Sequence, residues 1–406
     1  VNRKMPKKKR SLKERMHERQ IKIQRALEAH RLKTEKVRTE KKAKKLRFKV
    51  ITWVTSLLIA VTLLICIAWQ YTKPSSPVPQ NQNKPQQTSQ SQFNVIYIWP
   101  DGRVEPTTAP ITKVKENYYK FTSNVTLPVI VLKDNIVIDG AGYILKGDGT
   151  IGSRGIDISY RKNVTIINLK IERFDYGIYL DSTTYAVISN NEFTNNYCGV
   201  WLTLASQNNI TLNNISKNNM YGIWLKNSTN NLIYGNTFSF HQNYTIYLGY
   251  SSFNVIRANN MSENRLAIFL FSSSNNTIVQ NKIVDNFQGI NLLYSVKNGI
   301  YGNEIRKNNV GISFDNSSNN IVSCNNFIDN AYSVNILNSI NSWDDGSKNG
   351  NYWSDYEDKY PNAKEIDGSG VWDTPYIIDE NNKDEYPRVT PYSQLNSIAT
   401  ENIRLP

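Results

Sequence analysis

One interval governs most of this chain. A small residue opening a short apolar phrase returns at Gly155, Gly177, Gly199, Gly222, Thr245, Ala267, Gly289, Gly311 and Ser333, in steps of 22, 22, 23, 23, 22, 22, 22 and 22 residues. A second phrase, Asn-x-Ile-x-x-Asn-x-Ile/Phe, keeps the same beat from Asn208 to Ile215, Asn231 to Phe238, Asn276 to Ile283 and Asn298 to Ile305. The apolar residues alternate at the two-residue spacing of strands, and the runs are too short for helices. A unit this small cannot bury its own apolar face, so it must stack on copies of itself. The Leu-x-x-Leu-x-Leu skeleton of leucine-rich repeats is missing. The expectation is an all-β chain whose body is a right-handed parallel β-helix of about nine coils.

Asparagine is a poor strand former. Its abundance here has two explanations: it tolerates the left-handed backbone of sharp corners, and stacked amides hydrogen-bond as a ladder. The series Asn213, Asn236, Asn259, Asn281, Asn303, Asn325 reads as such a ladder.

Outside the repeats the composition changes abruptly. Residues 1–49 hold 21 Lys and Arg against 5 Asp and Glu, a net of +16 within a chain of +14, so everything beyond sums to −2. A capping box (Ser11, Glu14) and many helix formers predict a basic helical arm. Residues 50–72 form 23 uncharged positions, about 34 Å as a helix and enough to span a bilayer. A cleaved signal peptide competes with this reading. The 49-residue charged leader and the lack of a small-x-small site favour a retained span. The positive-inside rule then puts the arm in the cytoplasm, against anionic lipid headgroups, and the repeats outside the cell. RNA or a cytoplasmic protein is the lesser alternative for the arm, and no nucleic acid is expected as a partner.

Residues 73–93 are a Pro/Gln/Ser linker with nothing to bury. Residues 94–134 and 342–406 are expected to cap a β-helix running over 135–341. Of the three cysteines, Cys66 sits in the apolar span. Cys198 and Cys324 lie about 29 Å apart at roughly 4.8 Å per coil, so no bridge is expected.

"DNIVIDGAGYIL" (Asp134 to Leu145), the Asn/Ile coils and the tail from Asn351 to Pro387 resemble the β-helix proteins grouped with the NosD family of periplasmic copper-processing factors. The coils are also similar to those of carbohydrate-binding and sugar-hydrolase proteins of the pectate-lyase-like superfamily, and the tail is similar in style to those of archaeal surface proteins. The resemblance covers about residues 95–392 and implies the fold. Copper handling, which the family name implies, requires soft or imidazole ligands. His241, Met220, Met261 and the two distant cysteines form no cluster along the sequence. No metal or other cofactor is therefore expected.

In Gly-Ile-x-Leu the residue x points outward. Coil by coil it is Asp157, Tyr179, Trp201, Trp224, Tyr247, Phe269, Asn291, Ser313 and Asn335. Five successive coils thus put an aromatic ring on one outer face, at about 4.8 Å spacing. Such rings suit the apolar faces of pyranose sugars, with Asp181 and Lys226 beside them to meet hydroxyls. The predicted glycan platform is Tyr179, Trp201, Trp224, Tyr247, Phe269, Asp181 and Lys226. The alternatives are that the Trp-rich tail covers this stripe, or that the rings only stabilise the sheet.

For hydrolysis the best carboxylate pair is Glu263 and Asp285, at equivalent turns of adjacent coils. Lys307 and Asp329 continue that series, which equally describes a solvated charge ladder, so no catalytic residue is assigned. "DENNKDE" (Asp379 to Glu385) reads as an acidic turn rather than an EF-hand loop. Nine Asn-x-Ser/Thr sequons, at Asn124, Asn163, Asn209, Asn214, Asn227, Asn243, Asn260, Asn275 and Asn316, suit a glycosylated exported domain. The sequence thus points to a membrane-anchored, surface-displayed carbohydrate-binding or adhesion module. A polysaccharide lyase or glycoside hydrolase and a structural envelope protein are its rivals.

Overall fold

The computed structural model describes residues 94–393. The basic arm, the apolar segment 50–72 and the linker lie outside the described residues. Among the described residues no helix is long and apolar enough to cross a membrane.

The chain winds as a right-handed, three-sided solenoid of about eleven turns. Each regular coil contributes one strand to each of three parallel sheets. In the coil that begins at Tyr176 these strands are Tyr176–Asp181, Val187–Ser189 and Glu192–Thr194. The register follows the sequence beat: Ile178 pairs with Val200, Val200 with Ile223, and Ile223 with Ile246. Inward residues at these positions are fully buried and form one continuous core.

Nine coils, from Arg154–Asp157 to Tyr332–Leu337, are those that the sequence repeat marks. Two further turns precede them, so the solenoid has about eleven turns where about nine were expected. Ile96–Ile98 already pairs in parallel with Val129–Val131, and Tyr118–Phe121 with Ile136–Asp139. The beat is lost there because hairpins and loops lengthen the coils. The strand Ile111–Lys115 runs antiparallel to Tyr118–Phe121 and closes that end of the second sheet.

The asparagine ladder exists, and it is one of three. Asn236 shows the bonding of a rung. Its Oδ1 accepts from the backbone N (2.9 Å) and Nδ2 (3.0 Å) of Asn213, while its own Nδ2 donates to Ile210 O (2.8 Å) and Asn259 Oδ1 (3.0 Å). Parallel series run from Asn208 through Asn231, Asn254, Asn276 and Asn298 to Asn320, and from Asn264 through Asn286 to Asn308. A buried serine series from Ser228 to Ser339 bonds backbone N–H groups in the same way.

Asparagine does take left-handed corners, at Asn163, Asn190, Asn227, Asn275 and Asn316 among others, but the ladder rungs are different asparagines. The left-handed residue is the one before the rung, such as Leu212 (φ 56°), Gln280 (φ 57°) or Cys324 (φ 58°). That residue is exposed at Leu212 and half-buried at Gln280 and Cys324, whereas the rungs point inward and are buried.

The two 23-residue coils place their extra residue in the corner between the third and first sheets. Asn196 to Cys198 is two positions, whereas Asn218 to Tyr221 and His241 to Tyr244 are three. In that corner the third ladder is interrupted by His241, buried to 2 % exposure. Its Nδ1 lies 3.0 Å from Asn264 Oδ1 and its Nε2 3.4 Å from Asn218 Nδ2. An amide oxygen only accepts and an amide nitrogen only donates, so the imidazole is neutral, with its proton on Nδ1. Burial, opposed by the Asn264 hydrogen bond, pushes its pKa down to about 4.

At the far end the tail is a plug. Trp353 lies between Phe327 (4.4 Å, 5° between planes) and Tyr376 (4.2 Å, 2°), and Trp343 meets Phe314 edge-on. Asp384 replaces the last asparagine. Its carboxylate accepts from Asn351 N (2.7 Å), Asn351 Nδ2 (3.2 Å), Trp353 Nε1 (2.9 Å) and Tyr386 N (3.1 Å). A final rung needs acceptors only. Burial pushes its pKa up to about 6 even against these donors.

Two outcomes follow for stability. Asn236→Ala strands buried groups on both neighbouring coils, each costing about 1–3 kcal/mol, so urea denaturation should show a loss of at least about 3 kcal/mol. For His241 the unfolded chain takes up its proton near pH 6.5 and the folded chain only near 4. Its contribution is therefore intact above about pH 6.5, falls as the pH drops, and levels off below about 4, by up to about 3 kcal/mol. Comparing urea midpoints at pH 7 and 4.5 should show a steeper acid loss in wild type than in His241→Asn, whose amide restores the rung. Equal losses would refute this assignment.

Candidate functional site

The outward positions of the first sheet form columns that the stacked core holds in line. Tyr179, Trp201, Trp224, Tyr247 and Phe269 are register partners in that order, as the sequence spacing requires. Asp181 and Lys226 lie two residues further along their strands, with Thr203 between them. Asp181 accepts from the Ser182 hydroxyl, and Lys226 is exposed.

The rings do not make the evenly spaced platform expected. Centroid separations down the column are 6.3, 3.9, 5.3 and 5.2 Å, and only Tyr179 and Trp201 are near parallel, at 15°. The other steps are tilted by 56–63°, because aromatic quadrupoles prefer offset and edge-on contacts to a face-to-face stack. Phe269 is only 7 % exposed and works as packing for its neighbours.

A second column, not identified from the sequence, accounts for much of this burial. Tyr176, Tyr221 and Tyr244 begin their strands and pack against the first column: Tyr176 on Trp201 at 4.8 Å, Tyr221 on Trp224 at 4.3 Å, Tyr244 on Phe269 at 5.2 Å. The signal was present in the sequence, since each of these tyrosines immediately precedes the small marker residue. Burial pushes the hydroxyls of Tyr176, Tyr221, Tyr244 and Tyr247 above the usual phenol range, so they stay neutral hydrogen-bonding groups.

The N-terminal end of the double column carries charge. Arg154 lies over the Tyr179 ring, 3.7 Å from its centroid, and pairs with Asp157 at 2.5 Å. Within the column, the indole Nε1 groups of Trp201 and Trp224 are buried without a hydrogen-bond partner. Among the described residues the tail makes no ring contact with either column. Its own ring contacts are with Phe314, Phe327 and one another at the end of the core, while those of the columns are among themselves.

The other candidate chemistry is not assembled. Glu263, Asp285, Lys307 and Asp329 do share one corner position, all with positive φ. All four are exposed, and no ion pair joins them among the described residues. Asp139 and Glu192 are carboxylates in a groove lined also by Lys120, Asn168 and Lys170. Asp139 is the more buried of the two. Burial opposes its ionisation, but Asn168 (3.0 Å), Tyr118 (2.7 Å) and Ala141 N (2.9 Å) together hold its pKa below the usual value, which suits a structural anchor rather than a base. In the acidic turn, Asp379 accepts from Asn382 while Asp384 is the last rung of its ladder. Among the described residues no group of three His, Cys, Asp or Glu side chains converges on a metal position. Of the sequon asparagines, Asn243 is half-buried and the other eight are exposed.

A family model described as right handed beta helix region matches residues 154–303. No curated protein matches the sequence. Among solved structures, a mutant of the periplasmic alginate epimerase AlgG is 18 % identical over 54 % of this chain, with a TM-score of 0.40, and the chain spans 64 % of that protein's length. The Dettilon tailspike protein is 16 % identical over 60 % of this chain and 68 % of its own, with a TM-score of 0.40. DFA-IIIase from Arthrobacter chlorophenolicus A6 without its lid is 14 % identical over 55 % of this chain and 70 % of its own, with a TM-score of 0.43.

Proposed function

We propose that this chain is a glycan-binding module held at the cell surface. The observation that carries the reading is the double aromatic column on the first sheet, with Asp181, Thr203 and Lys226 in the outward column beside it. An aromatic row of this length is more than the isolated surface hydrophobes that need no explanation. A pyranose laid on the rings places apolar C–H faces on aromatic carbon and turns hydroxyls toward Asp181, Thr203 and Lys226. In this reading residues 50–72 cross the membrane, the basic arm stays on the cytoplasmic side against anionic lipid, and the 73–93 linker holds the solenoid outside the cell.

The test uses the fragment from Gln90 onward, titrated against a polysaccharide panel by affinity electrophoresis. Trp201→Ala and Trp224→Ala should each weaken retention at least about tenfold, equivalent to ~1.4 kcal/mol, with the circular dichroism spectrum unchanged. Retention that survives in the double variant would remove the column as the site, and polysaccharide cleavage by the wild type would support an enzyme instead. For the anchor, protease added to intact cells should release the solenoid by cutting within the linker. A solenoid protected until lysis would contradict the orientation.

A further inference from the structure

The corner after each strand of the first sheet forces one residue per coil into the left-handed region: Tyr160, Ser182, Leu204, Asn227, Tyr250, Ser272, Tyr294, Asn316 and Asn338. Asparagine takes this conformation at little cost and a bulky side chain does not. Tyr250 (φ 54°) and Tyr294 (φ 53°) nonetheless stand there 57 % and 56 % exposed, so they bring both backbone strain and unburied ring. Strain kept at a position where a cheaper residue fits points to use rather than stability. Of the other exposed aromatic corners, Tyr185 and Phe240 have a lysine over the ring, whereas Tyr160, on the coil before Tyr179, and Phe253, in a groove with Tyr234 and Arg257, do not. Tyr250 and Tyr294 instead flank Phe271, edge-on, at 5.3 Å and 6.4 Å.

Phe271 joins this cluster to the stripe. Its register partner is Gly249, in the outward column that elsewhere holds Asp181, Thr203, Lys226 and Leu293. Tyr247 lies down over this glycine: a Cβ there would come within 2.9 Å of a Tyr247 ring carbon. Gly249 thus opens a diagonal path from Tyr179, Trp201, Trp224 and Tyr247 on to Phe271, Tyr250 and Tyr294. From Tyr179 to Tyr294 it crosses five coil steps and about three residues sideways, roughly 26 Å. No side chain of the Tyr250, Phe271, Leu293, Tyr294 cluster carries a charge, and the charged residues of the same outward column, Asp181, Lys226 and Asp315, are of both signs.

We propose that Tyr250, Phe271 and Tyr294 form a distal subsite, so that the ligand is an uncharged, linear pyranose polysaccharide lying diagonally across the first sheet and contacting about five consecutive sugars. This rests on the glycan reading above and extends it to chain length, direction and charge. The full chain in detergent is titrated calorimetrically with cello-, manno- and xylo-oligosaccharides of two to six units and with oligogalacturonates as the acidic control. Wild-type affinity should climb with length up to about five units. Tyr250→Asn with Tyr294→Asn should bind the hexamer about tenfold more weakly and the dimer unchanged, and should melt at the wild-type temperature or higher, because the corner strain is relieved. Trp201→Ala should weaken both lengths. Wild-type hexamer affinity in the tyrosine variant overturns the distal subsite alone, and a preference for oligogalacturonates overturns the uncharged class. No binding by wild type to any of these sugars overturns the glycan reading and the subsite with it.

Discussion

The interaction on which everything else depends is the buried amide rung. Each ladder asparagine satisfies the backbone N–H and the side-chain amide of the coil before it, so a corner that would otherwise bury unpaired polar groups becomes fully bonded. That requirement explains the regularity of the beat. A coil can gain a residue only where no rung is displaced, which is where Met220 and Asn243 fall. It also explains the two exceptions along the ladders. His241 can substitute for asparagine because a neutral imidazole offers one donor and one acceptor on opposite sides, and Asp384 can end a ladder because nothing beyond it needs a donor.

A core and three ladders fixed in this way leave the outward residues free to differ. Functional chemistry on such a solenoid is therefore written in columns, and register alone brings residues 22 or 23 apart into contact. The first sheet has the longest strands in each regular coil and so the widest outer face. Its aromatic residues are concentrated on five adjacent coils, giving way to Asp157 at one end and Asn291 at the other. An aromatic layer confined to part of a uniform scaffold indicates a local demand, since the ladders and aliphatic core continue through coils that lack it.

Much of this was legible from residue spacing. The marker glycines and the Asn-x-Ile phrase fixed the register, and with it the neighbours Tyr179, Trp201, Trp224, Tyr247 and Phe269. What spacing does not reveal is how rings settle once adjacent. Tilted packing and the Tyr176, Tyr221, Tyr244 column turn a row of faces into an interlocked layer, in which Phe269 is nearly hidden. The two N-terminal turns were missed because periodicity is detectable only where coil length is constant, and there Ile96 pairs with Val129 across 33 residues. Gly249 carries no signal in the repeat, because its meaning lies in the Tyr247 ring resting on it.

The account's central claim is that a beat in the sequence becomes a row in space and that this row meets the ligand. Hydrogen–deuterium exchange of the β-helix with and without bound oligosaccharide tests it most directly. Protection should appear in peptides covering 176–181, 198–203, 221–226, 244–250, 266–271 and 288–294, one per coil, with the segments between them unchanged. Protection confined to one contiguous stretch, or lying on the second and third sheets, would contradict it.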